Sequence, residues 1–286
     1  MKKSDPYASP SAVEAAIKNA AKQAWKLDPT LSISERIRME YHNRFLCRVF
    51  GDRTANEWVL KGGSNMLARV ASTRVTHDLD LLRSNHSAES ALVELGRLAA
   101  ADIGDFFSFR QTDQRPLATG RQQPYLEGYR VEFGVYIGRA LKSNLGIDLV
   151  TNSLVTDRID VVRPASALNL PRLPSAPYRL YPVVDQIADK VSATHDVYSG
   201  RESSREKDLV DLVVLALTQR IDGSKLERAI RMEAAVHETA LPRTFQTPRG
   251  WGKGYSEIAS GIPVCSNHET IDAAKSLMAS FIDPVL

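Results

Sequence analysis

The pattern of apolar residues predicts a mixed α/β protein of the α+β kind, with a mixed sheet in its first part and a mainly helical C-terminal part. Three observations carry that expectation. Strand-like and helix-like spacings interleave up to about residue 165. Pro164, Pro171, Pro174, Pro177 and Pro182 then punctuate the chain, and proline both removes a donor and disfavours helix just before it. Beyond them nearly every apolar stretch repeats at helical spacing. The expected division is therefore 1–165, a connection over 166–182, and a helical unit over 183–286.

Each element follows from its own residues. Ser11 to Leu27 reads as a helix with Ser11 as N-cap, with Val13, Ala16, Ile17, Ala20 and Ala24 on one face, and Pro29 closes it. A second helix runs from Ser34 to Phe50, with Ile37, Tyr41, Phe45 and Val49 aligned. Trp58-Val59-Leu60 is a short buried strand entering the turn Gly62-Gly63-Ser64, and Asn65 to Ala71 is helical. Asp78 to Leu82 is the next strand and Ala88 to Ile103 an amphipathic helix. Strands follow at Phe106–Gln111, Tyr129–Ile137, Leu145–Val150 and Arg158–Val162. In the second of these, Arg130 and Glu132 alternate with Val131, Phe133 and Val135, which marks one wet face. Past the prolines, helices are expected at Val183–Thr194, Ser203–Arg220, Ser224–Glu238 and Glu269–Ile282. The Gly-, Pro- and aromatic-rich stretch Leu241 to Pro263 reads as a loop.

A chain of 286 residues buries a core without covalent staples. The net charge of +3 and pI of about 8.8 suit a polyanionic partner without requiring one. Cys47 and Cys265 lack metal-ligand spacing, so a reduced, cytoplasmic setting is expected. No apolar stretch approaches the roughly 20 residues of a bilayer span, and the basic N-terminus has no apolar segment behind it.

The chemistry concentrates in a few places. Asp78 and Asp80 lie two apart on a strand and so share a face. Carboxylates some 6–7 Å apart repel by about 2.5 kcal/mol at an effective dielectric near 20. A cation between them removes that repulsion, and an all-oxygen ligand set favours Mg²⁺, or Mn²⁺. The plain alternative is a solvated strand end. The Gly62-Gly63-Ser64 turn supplies close backbone approach and a helix N-terminus, both suited to phosphate. Asp148, set between Ile147 and Leu149, is the expected third carboxylate, and Asp160 competes with it. Asp208 and Asp211 share a helix face, and Lys207 with Asp211 makes an ordinary surface ion pair on local evidence.

Taken together, Leu60-Lys61-Gly62-Gly63-Ser64, Arg74 and Thr76 before Asp78-Leu79-Asp80-Leu81, Ile147-Asp148-Leu149, Asp189-Lys190 and Arg205-Glu206-Lys207-Asp208-Leu209-Val210-Asp211-Leu212 resemble the nucleotidyltransferase toxins of the AbiEii family, which includes the MenT toxins. The resemblance implies a polymerase-beta-like nucleotidyltransferase fold. It implies that Gly63 and Ser64 hold the phosphates of a nucleoside triphosphate, with Arg74 bracing the site. Asp78, Asp80 and Asp148 would ligate Mg²⁺, and Asp148 would help deprotonate the attacking hydroxyl. Lys190 would neutralise the triphosphate and Asp211 would orient Lys190 or a substrate group. A cognate antitoxin and a tRNA 3′ end are the implied partners. Val210 departs from the family, whose members often carry an aromatic residue there.

An RNA acceptor calls for a basic surface bearing aromatic residues. Arg243, Phe245, Arg249, Trp251, Lys253 and Tyr255 supply one, unless the aromatics only cover the core; Arg172 and Arg179 add to it. His77 is expected to point away from the carboxylate face. Two other functions compete with tRNA transfer: modification of a protein or small-molecule hydroxyl, and non-catalytic nucleotide binding. The presence of all three carboxylates, the glycine turn and the lysine argues against the last.

Overall fold

Ser9 and Ser32 begin the first two helices. In this computed structural model, which describes residues 6–52, 57–117, 127–195, 197–198, 201–238 and 243–286, Ser9 caps α1 (Pro10–Leu27) by accepting from the Ala12 amide. The cap is thus Ser9 where Ser11 was expected, because Pro10 suits the first helical position. Ser32 and Glu35 form a reciprocal capping box at the head of α2 (Ile33–Gly51).

β1 (Trp58–Lys61) leads into α3 (Gly62–Arg69), then β2 (Asp78–Arg83) and α4 (Ala88–Ala99). A meander follows of β3 (Phe107–Pro116), β4 (Gly128–Ile137) and β5 (Ala140–Val150). β6 (Asp160–Val162) and β7 (Tyr178–Leu180) complete a seven-stranded mixed sheet in the order β3-β4-β5-β2-β1-β7-β6. β2 runs antiparallel to β1 and parallel to β5, which makes it the strand where the two halves of the sheet meet.

One face of the sheet is packed. Leu79, Leu81, Phe133 and Ile147 join Val13 and Ile17 of α1, Phe45 and Val49 of α2, and Leu95 and Leu98 of α4 in a common core. Phe45 seats α2 with edge-on contacts to Phe109 at 5.1 Å. Burying one such aromatic is worth about 1.5–3 kcal/mol. Because strand side chains alternate, this packing turns Asp78 and Asp80 to the opposite face.

That face meets the helical part. α5 (Val183–His195) leads to the small hairpin of β8 (Val197–Tyr198) and β9 (Arg201–Glu202). Then come α6 (Glu206–Thr218), α7 (Gly223–Val236), α8 (Lys253–Ala259) and α9 (Ile271–Ile282). They gather a second core around Ile187, Leu209, Val213, Ile230 and Met278, to which α3 contributes Met66.

Three expectations are corrected. The glycine turn is itself the first turn of α3, with Lys61 at the cap position, so the helix starts at Gly62 and not at Asn65. β7 lies inside the proline-rich stretch, where Leu60 pairs with Leu180. The expected loop contains α8, because Tyr255 and Ala259 find a core to bury in; Leu241 and Pro242 at its start lie outside the described residues.

Candidate active site

Gly62 brings β1 and α3 against β2. Its φ of +58° belongs to the left-handed region, and a Cβ placed there would stand 1.9 Å from Asp80 Oδ2. A Cβ on Gly63 would instead meet the Thr76 side chain at 2.8 Å. Of the two glycines it is Gly62 that faces the carboxylate. Lys61 makes no side-chain cap bond, and the first amides of a helix have no partner within it, so α3 opens towards Asp80 with donors for an anion. Ser64 is buried, and its hydroxyl donates to the Asp78 carbonyl at 3.2 Å, as does that of Thr76. Ser64 therefore offers its hydroxyl to β2, and any contact it makes with phosphate is left to its amide.

The carboxylates follow from strand register. β2 and β5 pair so that Asp80 stands beside Asp148 and Asp78 beside Gly146, on strands about 4.8 Å apart. Asp160, the competing candidate, sits on β6 at the far edge of the sheet and pairs with Arg69 at 2.8 Å. Among the described residues no group of three His, Cys, Asp or Glu side chains is drawn together as a ready metal centre. Arg130 of β4 takes up two of the three expected ligands, donating to Asp78 at 2.6 Å and Asp148 at 3.0 Å, with its Nε on Glu132 at 2.8 Å. Burial works against this guanidinium's charge, but its bonds to Asp78, Glu132 and Asp148 outweigh burial and raise its pKa. The Asp80 carboxylate makes no side-chain hydrogen bond or ion pair among the described residues, although its strand is paired on both sides. Burial, then the charge of Asp148, pushes its carboxyl up to about 6, against the pull of Lys61 and Lys190. An oxygen-only set holding one uncompensated carboxylate suits a hard divalent cation.

A ladder of alternating charges stands across from the sheet. Lys190 of α5 bonds Asp208 at 2.9 Å and Asp211 at 2.7 Å, both from α6. Arg74 grips Asp211 through two bonds of 2.8 and 2.7 Å, and Arg205 meets Asp208 at 2.6 Å. Asp211 is wholly buried, and its carboxylate is taken up by Lys190 and Arg74. Burial opposes the Lys190 charge, yet Asp211 and Asp208 more than offset it and its pKa is raised. Lys61 adds a further cation, 3.0 Å from Asp189 and 4.1 Å from the centre of the Tyr181 ring. A cleft of about 340 Å³ runs between the two walls, lined by Lys61, Gly62, Asp80, Asp148, Lys190 and Arg205 among others. That volume is within the range of small-molecule sites.

Residues 44–276 match the family described as nucleotidyl transferase AbiEii toxin of type IV toxin–antitoxin systems. The chain belongs to the AbiEii family. It is accordingly a nucleotidyltransferase of the toxin class. Among solved structures, it resembles MenT4, a nucleotidyltransferase toxin from Mycobacterium tuberculosis H37Rv, with a TM-score of 0.55 and 13% identity over 88% of this chain and 84% of that one. That likeness shows a shared fold. JHP933 from Helicobacter pylori overlaps 86% of this chain and 92% of its own, at 13% identity and a TM-score of 0.44. No curated protein matches the sequence.

The RNA-facing expectation divides. Arg243 and Arg249 are exposed, and Lys253, at the start of α8, is almost fully so. Trp251 is corrected: it is buried in the helical core with its indole N–H donated to the Ser203 carbonyl at 2.6 Å, and it offers no face for base stacking. Phe245 and Tyr255 are buried likewise. Arg172 lies over the Tyr7 ring. His77 sits outside the carboxylate pair, 2.7 Å from Arg38.

Arg130, Asp208, Arg205 and Gln186, which reaches the Gly62 carbonyl at 3.1 Å, had been given no role by the sequence. For Arg130 no local signal sufficed: a regular hairpin about Gly138 and Arg139 sets it opposite Ile147, and the register shift between Val135 and Tyr136 moves it to Asp148.

No helix among the described residues is long and apolar enough to cross a membrane.

Proposed function

We propose that this AbiEii-family toxin moves a nucleoside monophosphate from a nucleoside triphosphate to the 3′ end of tRNA with Mg²⁺ or Mn²⁺, and that a cognate antitoxin restrains it. One observation carries the reading: Asp80 and Asp148 stand side by side at the glycine-headed α3, facing a cation-walled cleft.

In this reading the amides of Gly62, Gly63 and Ser64 hold the triphosphate at the head of α3. Asp80, with Asp78 and Asp148, holds the divalent ion, which when bound neutralises charge on the phosphoryl oxygens. Asp148 accepts the proton of the attacking 3′ hydroxyl, that oxygen bonds to the α-phosphorus, and pyrophosphate leaves. The ladder of Arg74, Lys190 and Arg205 against Asp208 and Asp211 sets three cations against two anions, so its net charge of about +1 favours an anionic substrate. Lys190 faces the triphosphate, while Arg74 and Asp211 position it. The helical unit proposed over 183–286 thus completes a site begun by the unit proposed over 1–165. Since no covalent intermediate is required, orientation and electrostatics supply the acceleration. Arg243, Arg249 and Lys253 are the proposed tRNA contacts.

The test is direct. Purified protein, each α-labelled nucleoside triphosphate in turn, Mg²⁺ and total RNA are incubated together. Label in tRNA that disappears with Asp80→Ala supports the proposal. Label in protein, or none in any nucleic acid, overturns it.

A further inference from the structure

Arg130 occupies an unusual place for a guanidinium. Its Nη2 donates to Asp78 at 2.6 Å and its Nη1 to Asp148 at 3.0 Å, while Nε is held by Glu132 of the same strand at 2.8 Å. These are charge-assisted bonds from a planar fork, which fixes where each oxygen lies. The backbone makes room for this arrangement. Gly146 stands opposite both Asp78 and Glu132, and a Cβ there would come within 2.0 Å of Nη2 and 2.6 Å of Asp78 Oδ1.

We infer that Arg130 is a built-in counter-cation that holds Asp78 and Asp148 in the metal-free protein and must release them before a divalent ion takes both. This positioning role rests on the proposed metal site. A divalent ion needs the same oxygens that the guanidinium holds, so it binds only the fraction of molecules in which Arg130 has let go. Apparent affinity falls by that fraction. The bond to Glu132 keeps Arg130 beside the site after release, where a triphosphate offers its fork new oxygens. Arg130 thereby links the two ligands: the metal binds weakly alone and better when the triphosphate takes the guanidinium over.

The experiment titrates Mn²⁺ into wild type, Arg130→Met and Arg130→Lys, following free Mn²⁺ by electron paramagnetic resonance, with and without a non-hydrolysable triphosphate. Without nucleotide, Arg130→Met is expected to bind Mn²⁺ at least about tenfold more tightly than wild type. Arg130→Lys should fall between, because an ammonium cannot fork across two carboxylates; it also serves should the methionine variant fail to fold. The analogue should strengthen Mn²⁺ binding more in wild type than in Arg130→Met. Equal or weaker Mn²⁺ binding in both folded variants overturns the inference and leaves the metal site standing. Failure of every protein to bind Mn²⁺, with or without the analogue, sinks the metal site and this inference with it.

Discussion

Asp80 and Asp148 share one register of the parallel β2–β5 pairing, yet only Asp148 carries a guanidinium. The charge of Asp148 is partly met by Arg130, and that of Asp80 is met by no group at bonding distance among the described residues. Four predictions follow from this arrangement and from the elements that build it.

Asp80 should weaken the fold that holds it. Its folded-state pKa of about 6 lies above the ordinary 3.8. A raised carboxyl contributes stability below the unfolded value that is lost as pH rises through the folded value. Asp80→Asn, which cannot ionise, should match wild type near pH 4 and exceed it at pH 7.5 by up to about 3 kcal/mol. Nucleotide transfer should vanish in the same variant. Urea unfolding at the two pH values checks the first part, and a gain that does not depend on pH would refute it.

Gly62→Ala should damage both fold and site. The left-handed backbone alone costs about 1–2 kcal/mol for an alanine, and the new methyl would press into Asp80. A loss of about 2–3 kcal/mol and a large fall in kcat are expected. Gly96 in α4 is the internal comparison, since a Cβ there meets nothing within 4 Å. Gly96→Ala should stabilise by about 0.5–1 kcal/mol without touching activity. Thermal melts and initial rates on the two variants separate the cases.

Lys190 and Asp211 should behave as a coupled pair. Removing either leaves a buried charge short of its partner, and such losses run to about 3–5 kcal/mol. Lys190→Met combined with Asp211→Asn should destabilise by clearly less than the sum of the single changes, with a coupling of about 1–3 kcal/mol. A double-mutant cycle in urea measures it. Strict additivity would mean that the 2.7 Å contact does not matter energetically.

Arg249 and Lys253 should act on RNA, and Trp251 on folding. Arg249→Glu and Lys253→Glu should each weaken tRNA binding and reduce the slope of log affinity against log salt by roughly one. Trp251→Ala should instead cost about 3–5 kcal/mol of stability, because its ring is buried with its N–H satisfied. Binding measured at several salt concentrations beside a melting curve assigns each residue. Unchanged slopes in both charge-reversed variants would move the RNA surface elsewhere.

Much of the architecture was legible in the residues themselves. The alternation Asp78, Asp80 against Leu79, Leu81 told which side of β2 would be packed, and the periodicity of α5, α6 and α7 marked the helical part. Local signals failed where a segment owes its form to a distant partner. The exposed stretch from Thr112 to Pro116, beyond the strand expected to end at Gln111, is a strand only because β4 pairs with it. Tyr178–Leu180 is one because Leu60 and Asp160 flank Leu180. Tyr255 helps form α8 because a core lies beneath it.

The same division runs through the site. Residue type, spacing and strand periodicity, which are properties of neighbouring positions, determined from the chain alone the mixed sheet, the glycine turn and the candidate carboxylates, and the motifs so found resemble those of the AbiEii family. Only the tertiary structure decided that Gly62 and not Gly63 faces Asp80, that Arg130 spans Asp78 and Asp148, and that Lys190 is held between Asp208 and Asp211. Electrostatic pairing depends on distances of a few ångströms between residues 18 to 52 positions apart, and no local pattern encodes such a distance until strand register and helix packing have set it.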